Sequence, residues 1–113
     1  MPQNRNKLID LFIGNISNAI THEILEKSSI NEDIKDHYHK EFEVSANIAK
    51  NYRQKINPIP SPLPEKDLVF IKNKIINKVN SELQSRINKG YENINLNLVE
   101  TIVNDILTET NII

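Results

Sequence analysis

Four prolines at alternate positions, in Asn57-Pro58-Ile59-Pro60-Ser61-Pro62-Leu63-Pro64, cut the chain into two parts. Each proline lacks the amide donor of a helix and pushes the residue before it towards extended backbone, so the segment favours a polyproline conformation. Such a stretch can fill an SH3 or WW groove, but a strap between two helical pairs, with Ile59 and Leu63 packed down, is simpler. On both sides of it apolar residues recur at the helical period, and strand-like alternation of useful length is absent. The expected fold is all-α: a four-helix bundle-like domain of two helical hairpins, 5–56 and 64–109, joined by a Pro-rich strap at 57–64. A chain of 113 residues is the size of one domain, here 1–113.

The first helix is expected from Arg5 to Lys27. At 100° per residue, Ile9, Phe12, Ile13, Ile16, Ile20 and Ile24 share an arc of about 120°. Leu8, Leu11 and Ala19 extend the apolar surface to a second side, as in a helix lying between neighbours. Gly14 costs a helix interior about 1 kcal/mol relative to alanine, which close approach of another helix or simple tolerance would explain. Ser29-Ile30-Asn31-Glu32 reads as a capping box that opens a second helix running to Ile56. Its stripe includes Ile34, Tyr38, Phe42, Ser45, Ala49, Tyr52 and Ile56.

The third helix should run from Pro64, at the first helical position, to Lys89, with Gly90 as its left-handed terminator. Leu68, Ile71, Ile75, Ile76, Val79, Leu83 and Ile87 form its stripe. Lys72 and Arg86 project into the same arc, where their stems can lie along apolar surface or their heads can meet an acid on another helix or subunit. Asn97, with Glu100 at the capping-box position, is expected to open a last helix ending near 109. The predicted core contains Ile13, Ile16, Ile20, Phe42, Ala49, Ile75, Val79, Leu83 and Ile102.

Isoleucine and asparagine dominate the composition, and the asparagines are spread through helical patterns without clustering, as an A/T-rich codon bias would produce. With no cysteine, disulfides, thiolate zinc sites and cysteine nucleophiles are excluded. Two glycines are too few to write a P-loop or a dinucleotide-binding loop. No apolar run approaches the roughly 18 residues of a membrane span and no signal-peptide core opens the chain, so a cytoplasmic protein without membrane contact is expected.

His22, His37 and His39 do not assemble a zinc set. His37 and His39 point about 200° apart on a helix, and the i, i+4 pairs His37–Glu41 and His39–Glu43 supply too few ligands. No serine sits in a nucleophile elbow and no carboxylate pair is marked for acid–base work, so neither catalysis nor a cofactor is expected.

The net charge of −1 hides a basic middle between acidic ends. Lys74, Lys78 and Lys89 flank the third helix, and Lys50, Arg53 and Lys55 close the second beside Tyr52. Brought together, these six would make a nucleic-acid patch, the alternative function. The principal expectation is a non-enzymatic protein–protein interaction module that pairs with itself or with another protein. If each helix of a four-helix monomer hides one broad face, Leu8, Leu11 and a flank of the last helix are left over for a homodimer interface.

Overall fold

The helical periodicity is realised as four α-helices in a computed structural model that describes residues 5–57 and 63–110. They are α1 (Arg5–Ser28), α2 (Glu32–Ile56), α3 (Glu65–Asn88) and α4 (Val99–Glu109), and a 3₁₀ turn at Leu96–Leu98 leads into the last. No strand occurs among the described residues. The expected strap falls mostly on 58–62, outside the described residues, as do Ile112 and Ile113. Leu63 is buried, and Pro64 stands one position earlier than expected, as the N-cap of α3, where its carbonyl accepts from the amides of Asp67 and Leu68.

α1 packs against α2, α3 and α4. It runs antiparallel to α2, since Asn18 Nδ2 donates to Ser45 Oγ at 2.8 Å and, a turn or two further on, Glu26 meets His39. It runs parallel to α3, since Arg5 pairs with Asp67 near both N-termini. Ile13, Ile16, Ile20, Ala49, Ile75, Val79, Leu83 and Ile102 are buried as expected, and Phe42 is half-buried against them.

Leu8 corrects the face count. It is buried within the chain, and Leu11 is half-buried. The expectation gave α1 one covered side, whereas three neighbouring helices cover both of its apolar sides. The flank of α4 is covered too: Val99, Ile102, Val103, Ile106 and Leu107 are all buried.

Two helix starts differ from expectation for one reason. Asn31, not Ser29, caps α2: its Oδ1 accepts from the amides of Asp33 at 2.9 Å and Ile34 at 3.2 Å. Asn95, not Asn97, caps the 3₁₀ turn, accepting from the Asn97 amide at 3.0 Å. Both segments offer several cap-competent side chains within three residues, and local composition does not rank them. The end of α3 follows expectation. Gly90 has φ 101°, the Tyr91 amide donates to the Arg86 carbonyl and the Gly90 amide to the Ile87 carbonyl, which is a Schellman motif.

These ends are separable by mutation. Asn31→Ala should destabilise by about 1 kcal/mol, whereas Ser29→Ala should cost a few tenths at most. Gly90→Ala should also cost about 1 kcal/mol, all of it conformational, because a Cβ there would meet no atom within 4 Å. Urea titration midpoints, with unchanged slopes, check all three.

Candidate interaction surface

The six basic residues expected to form one patch do not come together. Arg53 is buried, with 1% of its surface exposed. Lys50 and Lys55 are exposed on α2, while Lys74 and Lys78 are exposed on α3 and Lys89 at its C-cap, and α1 packs between the two helices. Lys55 Nζ lies 5.5 Å from the Tyr52 ring, so one cation does sit beside that aromatic. Of the pair projecting into the α3 stripe, Lys72 is half-buried. Arg86, also half-buried, faces Glu82 at 3.7 Å and has its guanidinium carbon 5.5 Å from the Tyr91 ring.

Arg53 does structural work instead. Its Nε donates to the Thr110 carbonyl at 2.9 Å, and its Nη1 donates to both oxygens of Asn57. Thr110 is the C-cap of α4, so the guanidinium satisfies an orphan carbonyl at a helix end where positive charge is favoured. Burial draws its pKa below the ordinary value, although a guanidinium keeps its charge in water. A signal was present in the sequence: Ala46, Ala49, Arg53 and Ile56 follow i, i+3, i+7, i+10, which puts Arg53 inside the buried stripe of α2.

While Val44, Ile48, Val69, Phe70 and Leu96 are exposed elsewhere, three of the exposed apolar residues, Ile30, Ile34 and Tyr91, come together at the end of the bundle where the α1–α2 turn meets the loop after α3. A cup of about 410 Å³ is lined there by Leu25, Ile30, Ile34, Tyr38 and Tyr91, with Ser28, Ser29, Asn31, Glu92 and Asn93 around them. Leu25 is buried and Tyr38 half-buried, whereas Ile30 is 90%, Ile34 45% and Tyr91 44% exposed.

Local chemistry fixes each part of this rim. Ser28 Oγ donates to the Leu25 carbonyl at 2.9 Å, and Ser29 Oγ accepts the Asn31 amide at 3.3 Å. Asn31 caps α2, so the turn holds Ile30 between two hydrogen-bonded neighbours. On the other side the Gly90 turn aims Tyr91, and Asn93 takes φ 65°, a left-handed conformation that asparagine tolerates. Burial raises the Tyr38 phenol, and the nearby Tyr91 adds to that shift while Arg86 opposes it. The His22 ring packs 5.9 Å from Tyr38, and its Nδ1 lies 2.8 Å from the Asn18 carbonyl.

His39 joins the pair expected on α2 to the neighbouring helix. Its Nε2 lies 2.7 Å from Glu43 and its Nδ1 3.4 Å from Glu26 of α1. His37 instead packs its ring 5.9 Å from that of Tyr38. Among the described residues no three His, Asp or Glu side chains are placed to hold a metal ion, and no helix is long and apolar enough to cross a membrane. Comparison with protein-family models, curated proteins and solved structures finds no match to this chain.

The His39 contacts give a pH dependence with a definite sign. The hydrogen bond to Glu26, then the charges of Glu26 and Glu43, raise its pKa above the ordinary 6.5. A raised pKa means that the folded state binds the proton more tightly. The added stability is therefore complete below the unfolded value and is lost as pH rises through the folded one. Glu23, raised mainly by burial, pushes the same way, so the His39 share must be isolated by mutation. The difference in thermal midpoint between the unaltered chain and His39→Gln should be larger at pH 6 than at pH 8. An equal difference at both pH values would remove His39 from the hairpin's stability.

Proposed function

We propose that this chain is a small non-enzymatic protein–protein interaction module, two helical hairpins joined by a proline strap, that acts in the cytoplasm as a homodimer. The observation that carries this reading is Ile30. It projects almost wholly into solvent beside an open cup whose floor, Leu25, is buried. A large aliphatic side chain held by a well-capped turn does nothing for the stability of the isolated chain. Exposed apolar clusters of this kind usually mark contact sites.

A knob and a hole side by side favour a second copy as the partner. In a two-fold dimer the same patch faces itself, so Ile30 of each copy can enter the cup of the other. A cup of about 410 Å³ has room for Ile30 and the tip of Ile34, and Tyr38 and Tyr91 offer aromatic walls of the kind that anchor interfaces. The interface therefore moves from α1, where Leu8 is already covered, to the end of the bundle. The nucleic-acid reading weakens with the burial of Arg53, because α2 and α3 then contribute separate small groups of lysines.

Light scattering at about 100 µM chain should give the dimer mass. Ile30→Glu should give the monomer mass with unchanged far-ultraviolet circular dichroism, since so exposed a side chain contributes nothing to the monomer's core. Leu11→Glu serves as the control for an α1-centred interface and should leave the dimer intact. A monomer mass for the unaltered chain sinks the proposal, and a dimer that survives Ile30→Glu removes the cup from it.

A further inference from the structure

Beside the apolar core that α1 and α3 share, one edge of their seam stays open over about two turns of each helix. A groove of about 620 Å³ opens there, and none of the residues lining it is a large apolar one. α1 contributes Gly14, Ser17, Asn18 and Thr21, while Lys74 and Lys78 stand on the α3 side. Its volume falls in the range of small-molecule sites, about 300–1,000 Å³. This groove is distinct from the cup at the bundle end and does not depend on the dimer proposal.

Three details separate this groove from an ordinary polar seam. Ser17 is only 5% exposed and its Oγ has no hydrogen-bond partner, although buried hydroxyls nearly always find one. Gly14 is not required by close helix packing, because a Cβ built there would meet no atom within 4 Å. Its missing side chain instead keeps the groove open. Finally, neither Lys74 nor Lys78 takes part in an ion pair among the described residues. Lys74 Nζ lies 5.8 Å from the exposed Phe70 ring, and the groove's carboxylate, Glu82, is drawn towards Arg86 at 3.7 Å.

Two unpaired ammonium groups and one buried unpaired hydroxyl around an open space are complementary to an oxyanion. We infer that the groove between α1 and α3 binds the phosphate group of a small phosphate monoester, held by Lys74, Lys78 and the Ser17 hydroxyl. Ammonium groups donate charge-assisted hydrogen bonds to phosphoryl oxygens, and the remaining volume accommodates the organic part of the ester. Phosphate alone would leave most of the groove filled with water.

Backbone amide NMR titrations with inorganic phosphate and with phenyl phosphate, at ionic strength held constant with chloride, test the assignment. Saturable shifts should centre on Gly14, Ser17 and Asn18, with phenyl phosphate binding more tightly than inorganic phosphate. Lys74→Ala or Lys78→Ala should each weaken phenyl phosphate by about tenfold, the loss of one charge-assisted contact. Gly14→Leu should fill the groove and abolish binding while the chain keeps its helical circular dichroism, since leucine suits a helix better than glycine. Equal affinity for the two probes would overturn the monoester. Shifts that chloride alone reproduces, that do not saturate by about 10 mM, or that persist in Gly14→Leu would overturn the site.

Discussion

The apolar circumference of α1 is the constraint from which the rest of the architecture follows. Leu8, Phe12 and Ala19 lie on one side of it and Ile13, Ile20 and Ile24 on the other, and all are buried. One partner helix cannot hide so wide a surface, so α2, α3 and α4 must all pack on α1. At about 25 cal/mol per Å² of apolar surface removed from water, this burial dominates the stability of a chain that has no cysteine and so no disulfides. Gly14 and Asn18 are the exposed residues of α1 beside the groove.

Arg53 shows how the same packing constrains a polar group. Covering α1 and α4 brings the last turn of α2 against the end of α4, and the guanidinium comes with it. Removing a cation from water is tolerated only where hydrogen bonds replace its hydration. The Thr110 carbonyl and the two oxygens of Asn57 do so, and the first of these needed a donor in any case. A lysine at this position would offer no planar fork to reach both helix ends.

Much of this fold was legible in the sequence wherever one signal had no rival. The stripes of α1 and α3 named the core because isoleucine spacing admitted only the helical period, and Gly90 ended α3 because glycine takes a positive φ without steric cost. Competing signals were not resolved. Ser29 and Asn31 both suit an N-cap, as do Asn95 and Asn97, and backbone geometry set by packing decides between them. Leu8 was misplaced because a face count from single helices ignores how many neighbours each acquires. The cup was invisible for a different reason: Leu25, Ile30 and Tyr91 lie on separate segments, and only the antiparallel turn of α1 and α2 beside the end of α3 unites them.

The cup's position also bears on how strongly it can bind. Association costs most when the contacting side chains must be ordered as they meet. Ile30 is β-branched, with few rotamers to lose. It is flanked by Ser29, which bonds to the Asn31 amide, and by Asn31, which caps α2. Tyr91 follows a Schellman turn and leans on Arg86. The residues presenting the apolar surface are therefore held by the same caps that end the helices. In the proposed dimer such a surface can be small and still selective, because its shape is set before a second copy arrives.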